Sequence, residues 1–143
     1  MKISRIFVGM LLAVPMIATP LNISNSNTIS ASAVEEVVPY SSYVFISKSA
    51  TISSTKCTAS CSLKSTGNVT ITNVLQKQNS NGNWYDYLTN DGGKTYTNVK
   101  SATHTYSYTM GSSGKYRCKS VIKGTVSGHT ETVTIYSGVY TKS

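Results

Sequence analysis

The sequence predicts an all-β domain, an antiparallel β-sandwich of seven or eight strands, carried behind an export leader. Three observations support that expectation. Short runs of β-branched and aromatic residues alternate with polar ones at a period of two, which sends successive side chains to opposite faces of a strand. Turn residues such as Asn81-Gly82 and Gly92-Gly93 separate those runs at intervals typical of a sandwich. No stretch beyond the leader spaces its apolar residues as a helix would.

The leader comes first. Lys2 and Arg5 precede a mostly apolar run from Ile6 to Leu21, broken by Pro15 and Pro20, and a polar stretch then ends in Ala31-Ser32-Ala33. That order is the layout of a signal peptide, residues 1–33, cleaved after Ala33. The run is shorter than the ~20 residues of a spanning helix, so no membrane span is expected after cleavage. The C-terminus shows neither an apolar tail nor a wall-sorting motif, and release from the cell or loose retention on its surface is expected.

Cleavage would leave 110 of the 143 residues, enough for one domain. That part keeps eleven of the thirteen basic residues and all five acidic ones, a net charge of +6, together with every Tyr and the single Trp84. Residues 34–42 are acidic, contain Pro39 and read as a flexible arm. The domain is expected over residues 43–143.

The elements follow in order. Tyr43 to Ser47 reads as a first strand, with Ser47 to Ser49 a bend or its continuation. A cysteine-bearing strand runs from about Thr55 to Lys64 and ends at a Ser65-Thr66-Gly67-Asn68 turn. Val69 to Asn73 alternates, then Val74-Leu75 breaks parity, which a bulge near Asn73 would restore. Asn81-Gly82 marks a hairpin. Trp84 to Leu88 returns from it, with Trp84 and Leu88 expected in the core and Tyr85 and Tyr87 outside. A short edge strand is expected around Thr95 to Val99, and another strand over Thr103 to Met110. After the Gly111 to Gly114 turn, Tyr116, Cys118, Ser120 and Ile122 alternate with Arg117, Lys119, Val121 and Lys123. Thr130 to Tyr136 closes the sheet.

Tyr116, two residues before Cys118 and just after a Gly-rich turn, resembles strand F of immunoglobulin-like domains with its tyrosine corner and inter-sheet cysteine. From about Tyr43 to Tyr140 the chain is similar to a bacterial immunoglobulin or fibronectin-type-III-like module. Its whole layout also looks like that of short proteins exported by Gram-positive bacteria. The family's strand-C Trp would stand about fourteen residues after the first Cys. From Cys61 that spacing lands on Leu75, and Trp84 falls one strand later. The resemblance implies an inter-sheet disulfide and no particular activity.

Cys57 and Cys61 lie on one face of the same strand, ~13 Å apart when extended. A disulfide needs Cα atoms within ~7 Å. One of them is therefore expected to pair with Cys118, leaving the other free or linking two chains as a homodimer. The immunoglobulin pattern favours Cys61 with Cys118, whereas counting from the opposite end of the sandwich favours Cys57 with Cys118. Closing such a loop is worth about 4 kcal/mol on the chain-entropy account.

Catalytic sets are hard to assemble. Beyond the arm the only acids are Asp86, Asp91 and Glu131, and no apolar cleft is implied around a carboxylate pair. The cysteines sit on an apolar strand face, where a thiol is inert, and His104 and His129 read as packing and turn residues. The Asn90 to Gly93 turn lacks the further carboxylates of a calcium loop, and Cys57-x3-Cys61 is not a zinc pattern. No enzyme activity, cofactor or metal is expected.

Two surfaces are candidates for binding. Arg117, Lys119 and Lys123 form a basic row suited to anionic polymers, outside a cell a wall polymer rather than nucleic acid. Tyr85, Tyr87 and Tyr96 offer rigid amphipathic area for a sugar or a protein. The expected role is an exported, non-catalytic module acting by surface contact with a cell wall, glycan or protein partner. The alternative is a small cationic antagonist, bacteriocin-like or an inhibitor.

Overall fold

A computed structural model describes residues 42–89 and 91–143. The leader, and the arm as far as residue 41, lie outside the described residues. Among the described residues seven strands form one antiparallel sheet, with no helix. They are β1 (Phe45–Ile52), β2 (Lys56–Gln78), β3 (Trp84–Leu88), β4 (Lys94–Ser107), β5 (Gly114–Val126), β6 (His129–Tyr136) and β7 (Tyr140–Lys142).

The organising element is β2, at 23 residues far longer than the expected cysteine strand. Its first half pairs with β1 on one side (Ile52 opposite Cys57) and with β4 on the other (Ala59 opposite His104). Its second half pairs with β5 from Asn68 opposite Thr125 to Lys77 opposite Tyr116, and with β3 at its end. β6 extends the sheet beyond β5, and β7 pairs with the start of β5.

Residues 65–68 do not form the expected turn; the strand continues through them. Gly67 explains the difference. A Cβ there would stand 2.1 Å from the carbonyl oxygen of Thr125, so only glycine lets β2 bend this close to β5. The register against β4 slips on either side of Gly67, and the sheet curls. Across the curl, Val44 and Phe45 lie over Gly124, where a Cβ would meet both side chains at 2.7 Å.

The curl makes two apolar clusters. The first gathers Val44, Phe45, Ala59, Cys61, Leu63, Val69, Ile71 and Ile122. The second gathers Ile52, Cys57, Leu75, Tyr108, Met110, Tyr116 and Cys118. Both hang on β2. Tyr116 is fully buried and its hydroxyl donates to the carbonyl of Ser112, four residues upstream (2.6 Å).

Other expectations are also redrawn. β1 runs on through Ser47 to Ile52. The two strands expected over 95–110 are one, β4, kinked at Asn98 with φ 57° while Asn68 Oδ1 accepts the Asn98 N–H. No bulge occurs at Asn73, whose pairing with Ser120 continues an unbroken register. Alternation persists, with polar Asn73 turned inward and Val74 outward under a surface cluster. The register shift falls farther along the strand, between Leu75 and Gln76 against β3.

Candidate functional site

The outward faces of β3, β2, β5 and β6 meet at one ordered cluster. Register places Asp86 opposite Gln76, Gln76 opposite Arg117, and Lys119 opposite Tyr136. Partners in register share a face of the sheet. The Arg117 guanidinium lies between two rings, 4.5 Å from the centroid of Trp84 and 4.1 Å from that of Tyr136. Its Nε donates to Gln76 Oε1 (2.8 Å), and Gln76 Nε2 donates to Asp86 Oδ1 (2.6 Å). Lys119 Nζ bonds the same carboxylate at 3.1 and 3.3 Å.

This cluster covers Gln76, which is 6% exposed, and Val74, at 8%. The Gln76 amide, with Lys119 behind it, holds the Asp86 carboxyl below the usual carboxylate range against slight burial. Burial lowers the Arg117 guanidinium somewhat, opposed by Tyr136. Each exposed guanidinium–ring contact is worth about 0.5–1 kcal/mol. The pair of them holds one cation flat and in place.

The expected basic row is therefore present on one face, with Lys123 opposite Thr70 and Thr132 farther along β5. The tyrosines divide. Tyr85 is 44% exposed and stands edge-on to Tyr87 at 6.4 Å. Tyr87 itself packs edge-on against buried Tyr116 and joins the second core cluster. Tyr96 lies elsewhere, against the first cluster, with its hydroxyl donating to the Thr103 carbonyl. The three do not form one surface.

Trp84 is not in the core. It faces outward opposite Gln78, while Leu88 reaches the second cluster because the slip beside Leu75 changes its parity. Gln76, Trp84 and Tyr136 were not among the expected contact residues. Tyr136 carried a signal, its matching parity with the row of Arg117 and Lys119 across the β5–β6 hairpin, whereas Gln76 and Trp84 carried none.

Inside the curl, all three cysteines are buried thiols. Cys57 and Cys118 are neighbours in the second cluster, and the adjacent Cys118 and then burial push the Cys57 thiol up. Cys61 lies in the other cluster, opposite Lys48 and Ala102, so the Cys61–Cys118 neighbourhood expected from the immunoglobulin pattern does not occur. Counting parity explains it. Cys57 and Cys61 share a face, but the curl sets the start of β2 over Cys118 and leaves Cys61 nearer the bend.

A polar network lies beside the pair. Cys118 N–H donates to Ser137 Oγ (2.8 Å) and Ser137 N–H returns to the Cys118 carbonyl (2.9 Å). Ser120 Oγ donates to Asn73 Oδ1 (2.7 Å), and Asn73 Nδ2 donates to the His104 carbonyl (3.1 Å). Asp91, with a side chain 2% exposed, accepts the Asn73 N–H at 2.6 Å and meets His104 Nε2 at 2.7 Å. Among the described residues no hydrogen bond links the His104 ring to a thiol, so it is not placed as a base for either. Nor does any group of three His, Cys, Asp or Glu side chains there form a set that could hold a metal.

No protein-family model, curated protein or solved structure matches the chain.

Proposed function

We propose that the protein is an exported, non-catalytic β-sandwich module of immunoglobulin-like type that acts by surface contact. The observation that carries this reading is the Trp84–Arg117–Tyr136 stack on an outward sheet face. Trp, Tyr and Arg dominate binding hot spots because they combine large contact area with few rotamers to freeze. Here the Arg117 guanidinium is held in place before any partner arrives, by its bond to Gln76, which is itself bonded to Asp86, and by the two rings on its faces.

The two-layer architecture is supported by the closeness of Cys57 to Cys118 and of Val44 and Phe45 to Gly124, each across the curl. A Cys57–Cys118 disulfide belongs to the same reading. In an oxidising exterior, thiol–disulfide exchange with a disulfide-bearing catalyst would join the two sulfurs, while the catalyst's disulfide takes up the two electrons and two protons and is left as a dithiol. The tyrosine-corner hydrogen bond of Tyr116 supports the immunoglobulin-like placement of β5.

The test uses the full chain, produced with its leader so that export processes it. Immobilised protein is presented with wall preparations of Gram-positive bacteria, glycan panels and host extracellular proteins. Binding that a Trp84→Ala, Tyr136→Ala double variant of unchanged circular dichroism loses supports the reading. Binding to nothing in those panels overturns it.

A further inference from the structure

Resting on that surface-contact reading, we infer that the outward side of β5 is a track for a linear anionic polysaccharide, anchored at Arg117. Arg117, Lys119 and Lys123 lie on the outward parity of one strand. At ~3.4 Å per residue the row spans about 20 Å. That is a line of charge, suited to a chain that repeats its own charges.

Arg117 is the fixed point of the line. Its two faces are taken by Trp84 and Tyr136, and Nε is the one guanidinium donor with a hydrogen-bond acceptor among the described residues. The terminal N–H groups are left for a ligand, in the planar fork that matches a carboxylate or a phosphate. Because stacking already immobilises the side chain, binding freezes little further motion. Lys119 is half-neutralised by Asp86, and Lys123 is exposed, so the track carries a net surplus of positive charge. Glu131 does not cancel it: its carboxylate is turned to Ser42 and Tyr43, opposite Gly124.

The flanks distinguish a glycan from an acidic peptide. Register sets Thr72 and Thr134 on either side of Val121, and Thr70 and Thr132 on either side of Lys123. Hydroxyls thus line both edges of the cation row, that of Thr70 already sharing a hydrogen bond with Thr95 Oγ1 (2.9 Å) and keeping acceptor capacity for a sugar hydroxyl. Val121 between them, and the rings of Trp84 and Tyr136 at the end, offer apolar area to the C–H faces of pyranose rings. An acidic peptide would use the cations and leave the hydroxyl borders without a role.

The test is affinity electrophoresis of the exported chain in gels containing alginate, a phosphate-bearing mannan, neutral dextran or poly-glutamate. Retardation by alginate, by the phosphomannan or by both is expected, and the two arms separate carboxylate from phosphate as the charged group. Dextran should not retard the protein, and poly-glutamate should do so only weakly. Arg117→Lys keeps the charge but loses the fork, and should weaken retention about tenfold. Lys123→Ser, at an exposed position where folding is unaffected, should weaken it severalfold, and added salt should abolish it. Retention that is equal for poly-glutamate, or unchanged in both variants, overturns the track. If the protein still binds a wall or a partner while those variants are silent, surface contact stands and only the track fails.

Discussion

Cys57 and Cys118 are neighbours in the core although the β2–β5 ladder begins eleven residues after Cys57, at Asn68 opposite Thr125. Their closeness is a product of the curl. Leu75, directly opposite Cys118 in the ladder, belongs to the same cluster as Cys57 from the far end of the same strand.

That arrangement predicts the oxidised connectivity. Peptide mapping of oxidised protein should find Cys57 joined to Cys118 and Cys61 as a thiol. The bridge closes a loop of about 60 residues, worth about 4 kcal/mol on the chain-entropy account, so reduction should lower the unfolding midpoint sharply. Cys61 is 3% exposed and burial pushes its thiol up, so it should resist alkylation until the protein unfolds. A monomer in non-reducing electrophoresis is expected. Mapping that returns Cys61 with Cys118, or a covalent dimer, contradicts the structure.

Gly67 gives the sharpest backbone test. Gly67→Ala places a methyl group against the Thr125 carbonyl and should cost about 1–3 kcal/mol through forced backbone shifts. The same change at Gly128, which has open space but φ +81°, should cost only the left-handed conformation, about 1 kcal/mol. Chemical denaturation orders the two. Equal losses would mean that close approach at residue 67 does not shape β2.

The Asp91–His104 pair is mostly withdrawn from water and fastens the β3–β4 connection to Asn73. His104→Ala leaves a buried carboxylate with the Asn73 N–H alone and should destabilise by about 3 kcal/mol, as broken buried pairs do. Adding Asp91→Asn to His104→Ala removes the stranded charge and should recover part of that loss. A double variant that is less stable than His104→Ala refutes the charge argument.

Acid should loosen the domain through two carboxylates. Gln76 and Lys119 hold Asp86 below its ordinary 3.8, and Glu131 lies below its ordinary 4.5 because hydrogen bonds from Ser42, Tyr43 and Val44 outweigh burial, which alone would raise it. A depressed carboxyl contributes stability that is present above its ordinary value and fades as pH falls through the folded one. Urea midpoints should therefore drop between about pH 5 and pH 3, and Asp86→Asn with Glu131→Gln should flatten that slope. An unchanged slope in the double variant would show that these contacts do not stabilise the fold.

Much of this was legible in the chain and some could not be. The alternation from Tyr116 to Lys123 needs no partner to be read, and both of its faces lie as their parity requires. Residues 65–68 carry turn composition, yet whether Gly67 turns or bends depends on Thr125, far along the sequence. Trp84 reads as core because a lone Trp is the largest apolar group available. Its outward seat depends on a register with Gln78 and on Arg117, neither of which shows in local pattern. Asn73 looked like a parity fault because its partners, Ser120, His104 and Asp91, are all distant.

One consequence of the 23-residue β2 reaches beyond stability. Since both apolar clusters are built on that single ribbon, loss of order in one should carry into the other. The domain should therefore open all at once, with amides along β2 exchanging with solvent only through global unfolding. A protease would then find no half-open form to cut, and the lifetime of the protein in its presence would follow its rate of complete unfolding.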